Sequence, residues 1–314
     1  MHSVWRGCRG HLGGATAGRH RRDAPDTPLT LRSVDATQLV PKPGSVTWRY
    51  AGDVRLLATG AYAILLQVAH PTVGAGVSEH SNFKADPWGR LFRTLDYTYA
   101  MTYGGPELAA ATGRGIREMH KRIKGVKPDG ERYHALEPEA YAWVHATLAH
   151  SIVRGHELLG RPMARNDVER FYAEWRLSGE LIGVRERDLP ASWREFGAYF
   201  EAMVTERLER TAAVAEVLDA LADPTRPDLR FLSPATWRVA RIPAVRQIDL
   251  VTAGLLGREL RVRLGVPWSR AKERELQLVA GASRAVTPLL PRALRNVGPA
   301  YLRWRNLEES REAA

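Results

Sequence analysis

The sequence has a single cysteine, and this scarcity excludes two kinds of site. With only Cys8 among 314 residues, the chain cannot close an internal disulfide, and it cannot build a cluster of thiolates around a metal ion. Such cysteine usage is typical of a reducing compartment. We therefore expect a cytoplasmic protein.

Long apolar runs are also absent. The most apolar stretch, residues 56–69 (LLATGAYAILLQVA), has 14 residues and contains a glycine and a glutamine, whereas a membrane-spanning helix needs about 20. We expect a buried helix here and no transmembrane segment. Near the amino terminus, Arg21 and Arg22 are not followed by an apolar stretch, so no export signal is predicted.

Positive charge exceeds negative charge, but the excess is confined to the two ends. The net charge is +11; residues 1–45 hold 7 basic and 3 acidic side chains, residues 261–314 hold 11 and 5, and the remainder is nearly neutral. No motif that reads a nucleic-acid groove accompanies this charge. We therefore predict no nucleic-acid partner.

Helical patterns fill most of the chain. Residues 1–45 lack periodicity and are rich in Gly, Arg, Thr and Pro, so they are predicted to form a poorly ordered basic leader. Residues 46–314 are predicted to form one all-α domain, with a turn at 127–130 and no strand ladder. Caps and helix breakers predict helices over 87–103, 106–124 and 138–159, after Asn166 and Ser192, and near 234–241, 244–264, 270–287 and 291–312.

His120 is the first candidate for chemistry. In the helix over 106–124, Ile116, Met119, His120 and Ile123 are spaced to share one stripe, so the histidine is predicted to face inward. A buried imidazole needs partners for its ring nitrogens. A metal ion is one such partner, and a backbone carbonyl in an ordinary core is the alternative.

His145 presents the same choice on the helix over 138–159. It shares one side of that helix with apolar residues (Tyr141, Leu148 and Ile152), so it too is predicted to face inward. His150 and His156 fall on other faces and are predicted to be solvated or to cap the helix. Two inward histidines on separate helices could hold a metal ion together or orient each other.

The helix over 87–103 has two contrasting stripes. One is apolar and contains Trp88, Leu91, Phe92, Leu95 and Tyr99; the other contains Arg90, Arg93, Thr94 and Tyr97. The second stripe is either a solvated arginine face or a covered surface. If it is covered, the two guanidinium groups need anions, because burial of an unpaired charge is costly. The carboxylates of a bound cofactor would serve.

Several segments together resemble a known family. Residues 67–71, 74–83, 86–94, 119–120 and 143–145 (QVAHP, GAGVSEHSNF, DPWGRLFRT, MH and WVH) are similar to the MpaB-type oxygenases, which include the rubber-cleaving latex clearing proteins. The similarity spans roughly residues 45–310 and is most specific over 70–94. It implies an all-helical fold with a globin-like core around haem b, and oxygenase chemistry with O2 on a small hydrophobic or unsaturated substrate.

The resemblance also implies roles for individual residues. Arg90, Arg93 and Thr94 match an Arg-x-x-Lys-Thr motif near the distal haem face, which makes them catalytic candidates. The axial metal ligand best matches His120. Arg93 replaces a lysine that can ligate iron, and arginine stays protonated and is a poor ligand. The sixth position of the iron is therefore expected to be open or water-filled, with Arg93 near bound oxygen.

Further cofactor contacts and competing functions complete the expectations. The resemblance implies that Arg90 and Arg93 pair with haem propionates, and it leaves His80 and His145 as additional cofactor-binding candidates, with His145 the alternative axial ligand. A di-iron bundle would need paired Glu-x-x-His motifs, and only Glu131 with His134 has that spacing. The non-enzymatic alternative is a helical ligand-binding or scaffold protein of the same fold without haem chemistry.

Overall fold

Short local signals determine where the helices begin. The computed structural model describes residues 36–81, 86–227 and 232–312, with side chains described as far as residue 306. At the start of the helix Pro87–Tyr103, Asp86 accepts a hydrogen bond from the amide of Gly89 at 2.8 Å, and Pro87 follows as the first helical residue. This pairing satisfies an orphan amide at the helix start and presets the backbone angle.

The described ranges are helical almost throughout, which confirms the all-α prediction. The elements in chain order are α1 (Ala36–Leu39), α2 (Val46–Tyr50), α3 (Gly60–Val68), α4 (Pro71–His80), α5 (Pro87–Tyr103), α6 (Gly105–His120), β1 (Lys124–Val126), β2 (Arg132–His134), α7 (Pro138–Leu159), α8 (Arg165–Ile182), α9 (Trp193–Glu206), α10 (Ala212–Ala222), α11 (Pro234–Leu255), α12 (Arg258–Leu264), α13 (Arg270–Val286), α14 (Arg292–Arg295) and α15 (Gly298–Glu312). Short 3₁₀ segments lie at Val54–Thr59, Glu186–Asp188 and Thr287–Leu289.

The predicted leader lies largely outside the described residues. Residues 1–35 are not among them, and the last ten residues of the predicted leader contain the short helix α1. From residue 35 onward the chain forms one compact unit. The predicted boundary at residue 45 stays a prediction.

The predicted turn at 127–130 is present, but it joins two short strands that the sequence did not predict. β1 and β2 pair antiparallel, with Gly125 opposite Tyr133, and Gly130 in the turn has a φ of +89°. Tyr133 is buried, and its hydroxyl donates to Glu79 on α4 at 2.6 Å. The hairpin is therefore held by side-chain contact with α4, which periodicity over three residues cannot reveal.

One of the two predicted capping boxes is wrong. α8 begins at Arg165 with Ala164 at its cap, so Asn166 lies inside the helix. Glu169 accepts hydrogen bonds from the amides of Trp193 and Arg194, at 2.8 and 3.2 Å, at the start of α9. Its carboxylate therefore caps a neighbouring helix instead of its own. The second cap is confirmed, since the Ser192 hydroxyl accepts from the amide of Glu195.

The helix break predicted between residues 241 and 244 is also wrong. α11 runs through Pro243 and ends at Leu255. Pro243 leaves the carbonyl of Val239 without its helical donor. Val239 is 74% exposed, so water can satisfy that carbonyl and the helix continues. The chain breaks instead at Leu256 and Gly257.

The core centres on α3 and α7. Trp143 on α7 is fully buried, and its indole nitrogen donates to the carbonyl of Leu66 on α3 at 2.9 Å. Because α3 also contacts α4, α10 and α11, it is covered on several sides. The buried helix predicted over residues 56–69 is confirmed for Gly60–Val68, whereas residues 56–59 belong to a 3₁₀ segment in which Leu57 is 42% exposed. No single helix in the described ranges is long and apolar enough to cross a membrane; Val54–Val68 and Pro71–His80 reach that length and composition only together, across a bend of 106°.

α5 carries the predicted arginine stripe and lies between α6 and α15. Asp96 on α5 accepts hydrogen bonds from the Tyr301 hydroxyl at 2.7 Å and from the Arg305 guanidinium at 2.9 and 3.0 Å. These bonds fix α15 against one face of α5. The other face is thereby held toward α6, which ends at His120.

Candidate functional site

His120 lies at the carboxyl end of α6 with one ring nitrogen held by the backbone. Its Nδ1 is 2.7 Å from the carbonyl of Ile116, one turn earlier, so Nδ1 carries the proton and donates. Nε2 has no hydrogen-bond partner among the residues that the structure describes. This arrangement leaves the Nε2 lone pair available, and a metal-ligating histidine is commonly oriented in this way.

The surroundings of His120 keep the imidazole neutral. The side chain is half-buried, and the edge of the Tyr141 ring faces it with centroids 5.3 Å apart. Burial lowers the pKa of His120, and the positive charge of Arg90 adds to that shift while the bond to Ile116 opposes it. A neutral imidazole is the form that binds a metal ion.

Arg90 brings a buried positive charge next to His120. Its Nη1 donates to the Ser81 hydroxyl at 3.2 Å, and its Nε is buried without a partner. Within the described ranges, no carboxylate pairs with it. Burial lowers the pKa of Arg90 to about 10, and the neighbouring charge of Arg93 adds to the shift. The group remains a cation at neutral pH, and an anion is the partner that it lacks.

Arg93 and Thr94 have their polar groups engaged. Arg93 is exposed, and its Nη1 is 3.6 Å from a carboxylate oxygen of Asp86. The Thr94 hydroxyl donates to the carbonyl of Arg90 at 3.0 Å, within the same helix. The predicted stripe is thus covered at Arg90 and solvated at Arg93. Each of the two alternatives that the sequence left open applies to one of the two arginines.

His145 is buried, as its stripe predicted, and it packs α7 against α8. Its Nε2 lies 2.9 Å from the carbonyl of Trp175 on α8, and its ring stacks on the Trp175 indole with centroids 5.2 Å apart. The Trp175 indole nitrogen donates back to the carbonyl of His145. Burial lowers the pKa of His145 to about 4. The geometry is that of a helix-to-helix contact.

His80 lies beside the hairpin, with its ring centroid 6.5 Å from that of Tyr133. Its Nε2 is 3.1 Å from the carbonyl of Lys124, and its side chain is 31% exposed. Residues 82–85, including Phe83 of the family-like segment 74–83, lie outside the described ranges. The structure therefore brings together His120 and Arg90, with Arg93 one turn along α5, and it gives His80 and His145 other neighbours.

Two histidines on α7 differ from their prediction. His150 and His156 were expected to be solvated or to cap the helix, and this is wrong. His150 stacks on Phe200 with centroids 3.8 Å apart and bonds to the Tyr62 hydroxyl, and His156 is 4% exposed with its Nε2 near the carbonyl of Tyr50. α7 is buried on several faces, and its solvent-exposed side chains near the carboxyl end include Arg154.

Sequence reasoning missed some neighbours of the site. Ser81 contacts Arg90, and Tyr141 packs on His120; the first lies in the family-like string and the second shares the stripe of His145. His70, in the family-like segment 67–71, is 3% exposed, with its Nε2 3.4 Å from Glu139 and its Nδ1 buried without a partner within the described part of the chain.

Comparison with known proteins shows which family and which proteins this chain is similar to. Residues 48–285 match the family described as "ER-bound oxygenase mpaB/B'/Rubber oxygenase, catalytic domain". Two similar proteins, uncharacterized protein Rv2237 of Mycobacterium tuberculosis and uncharacterized protein Mb2261 of Mycobacterium bovis, are each 25% identical over 232 residues, which cover 73% of this chain and 87% of theirs. No solved structure matches the chain.

Proposed function

The chain belongs to the mpaB/rubber oxygenase catalytic-domain family, and from this premise we propose that it is a haem-dependent oxygenase acting with O2 on a small hydrophobic or unsaturated substrate. One observation carries the proposal. An imidazole with its Nδ1 fixed by the backbone and its Nε2 open lies beside a buried arginine that lacks a carboxylate. The open Nε2 can ligate a metal ion, and the arginine lacks an anion. An iron porphyrin with propionates would supply both.

The residues present fit haem b. His120 would hold the iron through Nε2, with the Ile116 carbonyl fixing its tautomer. Arg90 would pair with a propionate, which supplies the anion that its buried guanidinium lacks. When bound, the haem supplies the redox-active iron at which O2 reacts.

Arg93 would act as a donor, not as an iron ligand. Its guanidinium stays protonated and carries only donors. Its exposed pairing with Asp86 at 3.6 Å contributes at most about 1 kcal/mol, so the side chain would be free to turn and donate hydrogen bonds within the site. Thr94 would keep its hydroxyl on the Arg90 carbonyl and orient that part of α5. The neutral Tyr141 ring would exclude water from one side of His120.

The test is an absorption spectrum with iron analysis, made on the purified protein as isolated and after addition of hemin. We expect a Soret band and one iron per chain in the native protein, and loss of both in His120→Ala. Met119→Ala is the matched control because Met119 immediately precedes His120 in α6 and is 41% exposed.

Two results would contradict the proposal in different ways. A His120→Ala protein that keeps a full Soret band would move the axial ligand elsewhere, and His145→Gln would then be measured next. A native protein that stays colourless with hemin would favour the non-catalytic ligand-binding or scaffold alternative.

A di-iron centre has less support, because no three His, Cys, Asp or Glu side chains in the described ranges could together hold a metal ion. The cytoplasmic location and the absence of a nucleic-acid partner stay predictions.

A further inference from the structure

A cavity lies between α10 and α11, and none of the predicted site residues lines it. Its volume is about 520 Å³, within the range of about 300 to 1,000 Å³ that is typical of small-molecule sites. It is lined by Leu218, Leu221, Ala222, Asp223, Pro224, Arg241, Ile242, Val245, Arg246, Asp249, Thr252, Ala253 and Val266. Most of this lining is aliphatic, so the cavity favours an apolar occupant.

The cavity reaches from the protein interior to the surface along α11. At its inner end Ala253 is 1% exposed, and at its outer end Ile242 is 69% exposed. An apolar wall that leads from solvent to the core suits an elongated molecule. Such a molecule would bury its chain along the aliphatic wall and gain free energy in proportion to the area removed from water.

Charged side chains at the cavity cancel one another. Arg241 pairs with Asp223 at 2.6 Å. Arg246 donates from Nε to Glu275 at 2.8 Å and lies 3.8 Å from Asp249, which pairs with Lys272 at 2.9 Å. The side chains of Arg241 and Asp223 are 44% and 80% exposed, so their pair contributes at most about 1 kcal/mol and opens at little cost. These three cations and three anions provide no net charge. An uncharged ligand is therefore favoured over a carboxylate.

Thr252 provides a polar point in this apolar lining. The residue is 3% exposed, and its Oγ1 is buried without a hydrogen-bond partner within the described part of the chain. A threonine inside a helix commonly donates to the carbonyl four residues earlier, and Thr252 does not. A buried hydroxyl without a partner costs about 1 to 3 kcal/mol. The hydroxyl does not face the cavity in this structure, so a ligand with one hydrogen-bonding group would remove that cost once the Thr252 side chain rotates toward it.

We propose that the cavity binds a neutral molecule that has an apolar chain and a single hydroxyl or carbonyl group, with that group at Thr252 and the chain along Val245. The segment after α10 and the first turn of α11, which lie near the cavity lining, contact the start of α5: Trp88 donates to the carbonyl of Thr225 at 2.6 Å and packs on Trp237. The ligand class is that of the proposed hydrophobic substrate, but the binding itself does not depend on haem.

The experiment measures displacement of the neutral fluorescent probe N-phenyl-1-naphthylamine from the full chain, with and without hemin. We expect saturable probe binding in both forms, displaced by 1-decanol at lower concentration than by decanoate. The hemin-free measurement separates this proposal from the proposed function. Absence of saturable probe binding, or tighter binding of decanoate than of decanol, would overturn the proposal.

Variants locate the site. Val245→Trp fills the cavity and is expected to weaken probe and decanol binding at least tenfold, whereas Val239→Trp, on the same helix, 74% exposed and outside the lining, should leave binding unchanged. Thr252→Val removes only the hydroxyl, and we expect about a 3- to 10-fold weaker decanol affinity, with decane unchanged, as for one net hydrogen bond. Equal binding by both tryptophan variants, or an equal effect of Thr252→Val on decanol and decane, would contradict the assignment.

Discussion

Arg90 is a buried cation whose partner is missing from the described residues, and its replacement should have opposite effects on stability and on haem binding. In the haem-free protein, Arg90→Leu removes an uncompensated charge, so the free energy of unfolding should stay unchanged or rise by up to about 2 kcal/mol. Hemin affinity should fall about 10- to 100-fold, because a charge-assisted hydrogen bond contributes about 1.5 to 3 kcal/mol. Urea unfolding and hemin titration provide the two measurements.

Arg93→Leu is the matched control, since this arginine lies one turn along α5 and is exposed. Its removal should change the free energy of unfolding by less than about 0.5 kcal/mol. If Arg90→Leu destabilised the haem-free protein by several kcal/mol, Arg90 would be a structural cation with a protein partner. The propionate assignment would then lose its support.

His145 should make stability depend on acid pH. Burial lowers its pKa from 6.5 to about 4, so the unfolded chain takes up the proton first. The stability that neutral His145 confers is complete above pH 6.5 and is lost as the pH falls through the interval from 6.5 to about 4. His145→Gln keeps a donor for the Trp175 carbonyl and does not titrate. Over that interval, its free energy of unfolding should depend on pH less steeply, by up to about 1.4 kcal/mol per pH unit.

Urea unfolding at several pH values would measure this slope. His134→Gln, the same exchange at an exposed position on β2, controls for the substitution itself. Parallel curves for the native protein and His145→Gln would show that the ring is not buried as the structure places it.

At the scale of elements, α6 contacts α8 through a glycine that has no room for a methyl group. A Cβ added at Gly113 would lie 2.4 Å from the carbonyl oxygen of Leu181, whereas one added at Gly115 would meet nothing within 4 Å. Gly113→Ala should therefore separate the two helices and lower the free energy of unfolding by about 1 to 3 kcal/mol. Gly115→Ala should raise it by about 1 kcal/mol through helix propensity.

Thermal and urea unfolding of this pair give a direct comparison within one helix. Hemin affinity should also fall in Gly113→Ala alone, because displacement of α6 moves His120 relative to α5. A stabilising Gly113→Ala would mean that the α6 and α8 backbones do not approach as closely as the structure shows.

Elements with local signals could be predicted from the sequence, and those that depend on distant partners could not. Asp86 with Pro87 and the Pro138 to Gly160 pattern predicted α5 and α7 with their observed bounds. The burial of His150 and His156 could not be predicted, since their partners, Tyr62 and Tyr50, lie 88 and 106 residues away. Periodicity identifies one buried face, and α7 buries several.

The same division applies to the candidate site. The stripe in α5 predicted that two arginines share a face, and the resemblance to the family predicted the roles of Arg90 and His120. Spacing alone could not tell that Arg90 is covered while Arg93 is solvated, because the cover comes from Ser81 and from the neighbouring helix α6. The free Nε2 of His120 depends on a rotamer that no sequence pattern specifies.

At the scale of the whole molecule, the helix α15 helps to position the candidate site through its contact with α5. α15 contacts α5 on the side away from His120, and the carboxylate of Asp96 accepts from both Tyr301 and Arg305. Residues that are more than 200 positions apart therefore fix the position of the arginine stripe. Loss of this support should change the site without a change in any of its own residues.

Asp96→Ala tests that dependence. It removes the acceptor for three hydrogen bonds from α15, and because the Arg305 and Asp96 side chains are 32% and 19% exposed, we expect a loss of about 2 kcal/mol in the free energy of unfolding, between the values for exposed and fully buried pairs. Amide hydrogen exchange should become faster in α15 and in the second half of α5, and hemin affinity should fall. Arg303→Ala, exposed on the same helix, should alter none of these. If Asp96→Ala accelerated exchange in α15 but left α5 and hemin binding unchanged, α15 would not contribute to the position of the site residues on α5.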